Sequence, residues 1–317
     1  MKREIPIRGF TLLEMLTALA IVAIMISLLI PAIHKIGETA YVVKQKAQFH
    51  AIGVGLESFR VDAGDYPPSN YTLDRNTNPS SMGPTGYCGA QKLAEAMVGW
   101  DGFGYHPKSA WQSDGKADFN GDGDQELIYD TVNGVVDGAV LQTAAENLKV
   151  RKGPYLELEK SNAVKIGSIY SGTGGGSISS IAAENSFVLA DMFGTVYNKT
   201  TGKKTGMPIL YYRADTSKAL FRPSALNNDP LKTTRDAIYN VDENAPFFMY
   251  MSPTGISHPL GGDRELFYKR IANPNFPPSA TTPQRPYRAQ SFILLSAGAD
   301  GLYGTPDDVY NIDENEK

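Results

Sequence analysis

Residues 10–33 read FTLLEMLTALAIVAIMISLLIPAI, and this apolar stretch decides the fold. Its only charged residue is Glu14, and it is long enough to cross a hydrocarbon core of about 30 Å as a helix. Lys2, Arg3 and Arg8 precede it, and such positive charges stay on the cytoplasmic side of a membrane. The pattern therefore predicts a single-pass helix that directs the rest of the chain outward.

Two features distinguish this stretch from a plain signal anchor or a secretory signal peptide. A secretory signal peptide has its small-residue cleavage site after the apolar run, whereas Gly9 stands before it. A carboxylate in a membrane span costs roughly 2.5–3.5 kcal/mol at the helix centre and less near the interface. The position of Glu14 therefore indicates that an intramembrane charge has a function.

Residues 9–14, GFTLLE, resemble the class III signal of type IV pilins and pseudopilins. The resemblance implies that a prepilin peptidase cuts between Gly9 and Phe10 and N-methylates Phe10. It also implies that Glu14 pairs with the N-terminal amine of a neighbouring subunit during assembly. Pro31 then falls where many pilins have a helix-bending proline.

The helix is predicted to continue as an amphipathic segment beyond the apolar stretch. Apolar residues recur there mostly three and four positions apart, which predicts one buried stripe. Gly64 and the prolines Pro67 and Pro68 predict the end of the helix. The predicted stripe comprises Ile33, Ile36, Ala40, Val43, Ala47, Ile52, Leu56 and Phe59, with Lys35, Glu38, Lys44, Lys46, Gln48 and Arg60 on other faces.

From about residue 66 the chain consists of short apolar runs separated by Gly, Pro, Asn and Asp. Residues 91–100 predict a short helix, residues 198–202 (NKTTG) a hairpin turn, and residues 172–177 (GTGGGS) a flexible loop that lacks the Gly-Lys-Ser/Thr of a phosphate-binding loop. Runs rich in β-branched and aromatic residues predict strands at 186–193, 207–213, 245–251, 265–271 and 289–295. The predicted fold class is α+β, with the long N-terminal helix packed on a C-terminal antiparallel β-sheet.

An acidic loop at residues 118–126 (DFNGDGDQE) has part of the spacing of a calcium-binding loop. Oxygen donors at positions 1, 3 and 5 followed by glycine match the first half of an EF-hand loop. The twelfth position is Tyr129, so a bidentate carboxylate is missing unless Glu126 or Asp130 replaces it. A solvated turn is the alternative. The candidate ligands are Asp118, Asn120, Asp122, Asp124 and Glu126.

A second acidic loop, residues 296–309 (SAGADGLYGTPDDV), follows the last predicted strand. Its carboxylates, Asp300, Asp307 and Asp308, can surround one Ca²⁺, and they repel one another without a cation. The loop is similar to the calcium loop near the C-terminus of the major, G-type pseudopilins of type II secretion systems. The resemblance implies that these three residues are calcium ligands. A polar loop without metal is the alternative.

The resemblance to G-type pseudopilins covers residues 1–68 and 291–309, and the segment of about 74–285 is an insertion relative to that family. The prediction for the domains has four parts. They are a leader peptide at 1–9, a transmembrane and filament-core helix at 10–33, its amphipathic continuation at 34–64, and a periplasmic pilin-like domain at 65–317.

The predicted function is that of a structural subunit of a type II secretion pseudopilus. The resemblance implies polymerisation with copies of itself and with other pseudopilins, processing by prepilin peptidase, and contact with an inner-membrane assembly platform. It also implies an inner-membrane location with the C-terminal domain in the periplasm. The alternative is a type IV pilin with an adhesive or calcium-dependent glycan-binding insertion. Adhesive pilins tend to carry a C-terminal disulfide, so the single cysteine, Cys88, favours the pseudopilus.

Charge and motifs argue against other functional classes. A net charge of −4 gives no broad basic surface for nucleic acid. No HExxH, GxSxG or paired Cys-x-x-Cys motif occurs, and we expect no enzyme activity. His34 and His50 share no ligand face on the helix. His106 and His258 each precede a proline and are predicted to lie at the surface, and Cys88 is predicted to be an inert structural thiol.

Overall fold

The computed structural model of the chain describes residues 11–73, 86–157, 161–170, 185–222, 237–249, 252–279 and 282–312, without the side chains of residue 28 and residues 30–36. The chain forms two compact units, Met1–Val43 and Lys44–Lys317. The architecture is α+β, with an N-terminal helix and small antiparallel sheets, and is compatible with a pilin-like fold. The predicted flexible loop at 172–177 lies outside the described residues.

The helices and strands are numbered along the chain. The helices are α1 (Leu12–Ala63), α2 (Gly89–Val98), α3 (Ala144–Val150), α4 (Ile166–Tyr170), α5 (Ala245–Met249), α6 (Pro259–Gly262) and α7 (Glu265–Ile271), and a 3₁₀ helix spans Val241–Asn244. The strands are β1 (Thr72–Leu73), β2 (Gly86–Tyr87), β3 (Lys116–Ala117), β4 (Glu126–Leu127), β5 (Val135–Asp137), β6 (Ala139–Gln142), β7 (Ala163–Lys165), β8 (Phe187–Leu189), β9 (Val196–Tyr197), β10 (Lys204–Thr205), β11 (Leu210–Arg213), β12 (Phe292–Ser296) and β13 (Val309–Tyr310).

Helix α1 begins and ends with local hydrogen bonds. At its start, the N–H and the hydroxyl of Thr11 each donate to Glu14 Oε2 at 2.8 Å, and the N–H of Glu14 donates to Thr11 Oγ1 at 3.2 Å. At its end, Gly64 has a φ of +87°, and its N–H donates to the carbonyl of Arg60 at 2.8 Å. The end predicted from Gly64 and the following prolines is confirmed. No helix in the described part of the chain combines the length and apolar character needed to cross a membrane.

The buried face of α1 agrees only partly with the predicted stripe. Ile52, Leu56 and Phe59 are buried as predicted. Val43 is 61% exposed, and Ala47 is also exposed, so the prediction is wrong for them. The step of five residues from Ala47 to Ile52 does not fit a helical period of 3.6, and these two positions therefore lie on different faces.

Polar side chains continue the buried face of α1 towards its N-terminal end. Gln45 and Gln48 are buried, although Gln48 was predicted to lie on a polar face. They precede the buried Phe49 and Ile52 at spacings of three and four residues, as one face of a helix requires. Hydrogen bonds to loop backbone, from Gln48 Nε2 and to Gln45 Oε1, offset part of the free-energy cost of burying these amides.

The sheets of the second unit are small and antiparallel. In the three-stranded sheet, β11 pairs with β12 and β12 pairs with β13, so that Leu295 lies opposite both Leu210 and Tyr310. The two-stranded pairs in the described part of the chain are β1–β2, β3–β4, β5–β6, β7–β8 and β9–β10. The predicted strands at 186–193 and 207–213 contain β8 and β11, and the predicted strand at 289–295 overlaps β12, which ends one residue later. The predicted turn at 198–202 connects β9 and β10.

Two predicted strands are helices, and their sequences contain the reason. The prediction of a strand at 265–271 is wrong because α7 buries Phe267, Tyr268 and Ile271, whose spacing follows a helical period. The prediction of a strand at 245–251 is wrong because residues 245–249 form α5. Pro246 lies in its first turn, where proline is tolerated, whereas a proline inside a strand removes a ladder hydrogen bond.

Aromatic side chains dominate the core of the second unit. Helix α2 packs against β8 and β11, and all of its residues are buried, including Gln91, Lys92 and Glu95. Tyr211 and Tyr212 of β11 are buried beside it. Further buried aromatic residues are Tyr87, Tyr239, Phe247, Phe248, Phe267, Tyr268 and Tyr303. Such side chains bury a large area each, which lets short elements form a stable core.

Candidate functional site

The C-terminal acidic loop connects two paired strands. Strand β12 leads into it and β13 follows it, with Ser296 opposite Val309 at the base of the connection. The loop is therefore closed by an antiparallel pair, and its two ends are held at the edge of the three-stranded sheet. Sequence reasoning predicted this position correctly, because an apolar strand precedes the loop.

The carboxylates of this loop bond to its own backbone. Asp307 Oδ2 accepts the N–H of Asp300 at 3.0 Å, and Asp307 Oδ1 accepts the hydroxyl of Thr305 at 2.5 Å. Asp308 Oδ2 accepts the N–H of Gly304 at 2.8 Å, and Asp300 Oδ1 accepts the N–H of Leu302 at 2.8 Å. Each predicted ligand is thus held at a fixed place in the loop.

Asp308 is the most buried of the three predicted ligands. Only 4% of the residue is exposed, and its Oδ1 finds no hydrogen-bond donor among the described residues. Burial raises the pKa of Asp308 well above its usual range, and the charges of Asp307 and Asp300 raise it further. Burial, and then the charge of Asp307, also raise the pKa of Asp300. A cation at this place would offset both the burial and the repulsion.

The glycines of the C-terminal loop allow this close packing. Gly298 has a φ of +66°, and a Cβ there would overlap the backbone carbonyl of Asp307 and lie 2.6 Å from its Oδ2. Only glycine fits a left-handed position with this little space. The carboxylates, the glycine turns and the Oδ1 of Asp308, which has no partner among the described residues, have the chemistry of a site for a hard cation with oxygen ligands. The structure does not, however, bring oxygen atoms of Asp300, Asp307 and Asp308 within 4.8 Å of one another.

The first acidic loop, between β3 and β4, is held by hydrogen bonds among its own residues. Asp118 Oδ1 accepts the N–H of Gly121 at 2.6 Å, and its Oδ2 accepts the N–H of Gly123 at 3.2 Å. Asn120 donates to Asp122 Oδ2 at 2.6 Å, and the N–H of Asp124 donates to Asp122 Oδ1 at 2.9 Å. These bonds fold the loop upon itself.

Two of the predicted ligands of this loop meet a third carboxylate from outside it. Oxygen atoms of Asp122, Glu126 and Asp137 all lie within 4.8 Å of one another, the only such group of three in the described residues. Asp137 is the last residue of β5, so the group joins two neighbouring hairpins. Burial raises the pKa of Asp137, and the charges of Asp122, Glu126 and Asp124 raise it further.

Sequence reasoning did not predict Asp137. It precedes Gly138, and Asp-Gly between strands indicates a hairpin turn rather than a ligand. Asp130, the alternative replacement, is not part of this group, and its carboxylate accepts the N–H groups of Val132 and Asn133 in its own turn, each at 2.8 Å. Glu126 is buried within the group, and its Oε2 accepts the N–H of Phe119 at 2.7 Å.

Two predictions about histidine are wrong, and one about cysteine agrees with the structure. His106 and His258 are buried, and burial lowers the pKa of each to about 4. His258 accepts the N–H of Tyr303 on Nδ1 at 3.1 Å, so it packs beneath the C-terminal loop. Cys88 is buried, and burial raises the pKa of its thiol to about 12, as expected of an inert thiol.

The N-terminal processing segment lies largely outside the described residues. Gly9 and Phe10 are not described. Glu14 is exposed in the first turn of α1, where it caps the helix together with Thr11. In the sequence, Glu14 lies four residues after Phe10, the first residue after the predicted cleavage position.

Comparison with known proteins identifies this N-terminal segment. Residues 6–30 match the model of the prokaryotic N-terminal methylation motif. The match indicates a type IV pilin-like substrate of prepilin peptidase, a class that is membrane-anchored and structural rather than catalytic. It supports the pilin and pseudopilin class without distinguishing the two. No curated protein and no solved structure matches the chain.

Proposed function

We propose that the chain is a structural subunit of a type II secretion pseudopilus with a calcium-binding C-terminal loop. The N-terminal methylation motif supports the pilin-like part of this proposal. The observation that carries the finer part is the buried Asp308 carboxylate, whose Oδ1 has no donor within the described residues and which lies beside Asp300 and Asp307.

Assembly would proceed through the N-terminal helix. Cleavage between Gly9 and Phe10 creates a new amine at Phe10, four residues before Glu14. The helix at 10–33 would anchor the subunit in the inner membrane, with the C-terminal domain in the periplasm. The Glu14 carboxylate would then leave the Thr11 cap for the amine of a neighbouring subunit, because an ion pair compensates a charge in an apolar medium better than a hydroxyl does. Copies of the chain, other pseudopilins, prepilin peptidase and the assembly platform would be its partners.

Calcium would be held by Asp300, Asp307 and Asp308. The ion would supply positive charge to three carboxylates that otherwise repel one another, and the chain would keep the loop folded around it. Loop backbone carbonyls and water are the usual additional oxygen ligands of this ion. The main effect would be an ordered loop rather than a chemical reaction.

A second candidate function is supported by the group of Asp122, Glu126 and Asp137. Three carboxylates from two hairpins of the insertion provide a second candidate calcium site. Val136 and Val140, on the paired strands β5 and β6, are largely exposed beside it. This arrangement favours a type IV pilin whose insertion is adhesive or binds glycans with calcium.

The two candidates are tested by calcium-dependent unfolding of the full chain in detergent. We would compare the unaltered chain with Asp307→Asn/Asp308→Asn, with Asp122→Asn/Asp137→Asn, and with Asp215→Asn as an exposed control outside both acidic loops. Ligand linkage predicts about 2.7 kcal/mol of stabilisation at a hundredfold excess over the dissociation constant.

Each result has a defined meaning. Loss of the calcium effect only in Asp307→Asn/Asp308→Asn supports the pseudopilus, and loss only in Asp122→Asn/Asp137→Asn supports the binding insertion. Absence of any calcium effect in the unaltered chain overturns both calcium proposals and leaves the prepilin class alone. Release of the protein from cells by shearing would favour a surface pilus over a periplasmic pseudopilus.

A further inference from the structure

The C-terminal loop is connected to helix α1 by a buried polar chain through Asp191. Asp191 follows β8 and is buried, and its Oδ2 accepts the hydroxyl of Ser296 at 2.9 Å. The same hydroxyl accepts the N–H of Gly298 at 3.3 Å. Ser296 therefore joins the carboxylate of Asp191 to the first turn of the loop.

A second contact joins the same two segments. A Cβ on Gly301 of the loop would lie 3.0 Å from Thr195 Oγ1 and 3.1 Å from Thr195 Cβ. The segment that begins at Asp191 thus contacts the loop at two places, before and after Asp300. Any movement of the loop that changes either contact must move this segment as well, because packed interiors leave little free space.

The backbone on both sides of Asp191 is fixed to α1. The N–H of Met192 donates to Gln45 Oε1 at 2.8 Å, and Gln48 Nε2 donates to the carbonyl of Ala190 at 2.9 Å. Gln45 and Gln48 are both buried. Both residues lie on the buried face of α1, where an apolar stripe was predicted. Their hydrogen bonds to the backbone on both sides of Asp191 explain why polar residues are buried there.

We propose that Asp191 is a positioning residue that couples cation binding in the C-terminal loop to residues 45–48 of helix α1. The proposal rests on the calcium part of the proposed function. Loop ligands are oriented by the groups that hold them, and removing such groups typically lowers metal affinity 10-fold to 100-fold. In this chain, Ser296 and Asp191 hold the loop, and Gln45 and Gln48 hold Asp191.

The Ser296→Ala variant tests the coupling, with Ser69→Ala as its matched control. Both hydroxyls are buried and donate to a carboxylate, Ser296 to Asp191 and Ser69 to Glu243 at 2.5 Å. Ser69 also accepts the N–H of Arg213, so its hydrogen bonds join it to a different part of the fold. Asp191→Asn keeps the shape of Asp191 and removes its charge. All variants are made in the full chain in detergent, and the probe is Ca²⁺ alone.

Two measurements are made on each variant. Calorimetric titration gives the calcium dissociation constant, and we expect it to rise about 10-fold in Ser296→Ala and Asp191→Asn and to stay unchanged in Ser69→Ala. Hydrogen exchange gives the protection of the Met192 amide, which bonds to Gln45. We expect calcium to slow exchange at Met192 in the unaltered chain and in Ser69→Ala, but not in Ser296→Ala.

The results separate this coupling from the calcium site itself. If calcium protects residues 297–308 and leaves Met192 unchanged, the coupling is overturned and the calcium site stands. If Ser296→Ala and Ser69→Ala behave alike in both measurements, the coupling is also overturned. If calcium neither binds nor protects the loop of the unaltered chain, the calcium proposal fails and the coupling fails with it.

Discussion

Asp308 is the residue on which the proposed calcium site in the C-terminal loop depends most. Its Oδ2 has a backbone partner in Gly304, while its buried Oδ1 has none in the described part of the chain. A buried carboxylate without a partner costs free energy unless it is protonated or bound to a cation. The same atom that would bind calcium therefore destabilises the loop when calcium is removed.

The substitution Asp308→Asn tests whether this carboxylate stabilises the loop with calcium and destabilises it without calcium. In chelator we expect the variant to be more stable than the unaltered chain by about 1 kcal/mol, because the amide removes a buried charge and relieves repulsion with Asp300 and Asp307. With saturating calcium we expect the variant to be less stable than the unaltered chain, because it lacks one proposed calcium ligand. Urea unfolding in both conditions measures the difference, and an unchanged order in both would contradict the assignment of Asp308 as a ligand.

Glu243 gives a pH dependence that does not involve either acidic loop. Burial raises its pKa to about 7 from the ordinary value of 4.5, while the hydroxyl of Ser69 and the charges of Lys92 and Arg213 lower it and the charge of Asp215 raises it. A carboxyl group whose pKa is higher in the folded protein than in the unfolded chain stabilises the fold. This contribution is complete at pH values below the ordinary pKa of 4.5. That contribution is lost as the pH rises through about 7.

We therefore predict a pH-dependent difference between the unaltered chain and Glu243→Gln. The stability of the unaltered chain relative to the variant should fall by on the order of 2 kcal/mol between pH 5 and pH 8. Urea unfolding across this range, in chelator, measures it. The contributions of Asp191, His106 and His258 are common to both chains and cancel. Parallel pH profiles for the two chains would show that Glu243 is not responsible.

At the scale of single residues, the sequence identified some candidate ligands and missed another for a physical reason. Asp300, Asp307 and Asp308 were identified because their loop carries its glycines and carboxylates in one continuous segment. Asp137 was missed because its partners are supplied by another hairpin, and pairing between hairpins is a long-range contact that spacing does not encode. The burial of His258 was missed for the same reason, since the loop that covers it is remote in sequence.

Among the elements, the connection between β12 and β13 depends most on its glycines. Gly298 and Gly202 have nearly the same φ, +66° and +67°, but a Cβ at Gly202 would meet nothing within 4 Å. A Cβ at Gly298 would overlap Asp307. The two positions thus share the backbone strain and differ in the space around them.

Alanine substitutions at Gly202 and Gly298 distinguish the cost of a left-handed backbone from the cost of steric overlap with Asp307. We expect Gly202→Ala to destabilise the chain by about 1 kcal/mol, the cost of a left-handed conformation alone. We expect Gly298→Ala to cost about 3 kcal/mol or more and to weaken calcium binding, because the loop must shift away from Asp307. Urea unfolding measures both, and equal effects of the two substitutions would mean that the loop adapts without cost.

Element prediction succeeded where one local signal dominated and failed where packing decided. The end of α1 followed from Gly64 and the prolines, and the hairpin between β9 and β10 followed from its turn residues. Strands were wrongly predicted at α5 and α7 because short aromatic runs suit either structure until their partners are known. The buried face of α1 was partly wrong because Gln45 and Gln48 are buried by hydrogen bonds to the segment around Asp191, which no apolar pattern reveals.

For the whole molecule, the N-terminal motif carries most of what the sequence reveals about function. It is short and local, so the class of protein could be predicted from residues 9–14 alone, and the matching model covers residues 6–30. The predicted insertion at about 74–285 offered no such signal. Hairpins such as β3–β4 and β5–β6 are local pairs, but the carboxylate group depends on contact between these two hairpins, and the calcium experiment tests its proposed function.

The processing of the whole chain gives the last prediction. Gly9→Val places a bulky side chain at the predicted cleavage position, and we expect the protein to retain residues 1–9 and an unmethylated Phe10. Glu14→Gln leaves the cleavage position intact, so we expect normal processing. Without the Glu14 charge, the new amine of the neighbouring subunit lacks an ion-pair partner in an apolar environment, and we expect loss of filament assembly.

Mass spectrometry of the purified chains and sedimentation of assembled filaments measure these two steps separately. Thr17→Ala is a suitable control, because the hydroxyl of Thr17 donates to the carbonyl of Glu14 within the same helix, at 3.0 Å, rather than to the Glu14 carboxylate. We expect this control to be processed and assembled normally. Filaments formed by Glu14→Gln as readily as by the control would refute the pairing of Glu14 with the N-terminal amine, even if cleavage after Gly9 is confirmed. Cleavage at another position would move the mature N-terminus away from Glu14, and the distance of four residues on which the pairing depends would no longer hold.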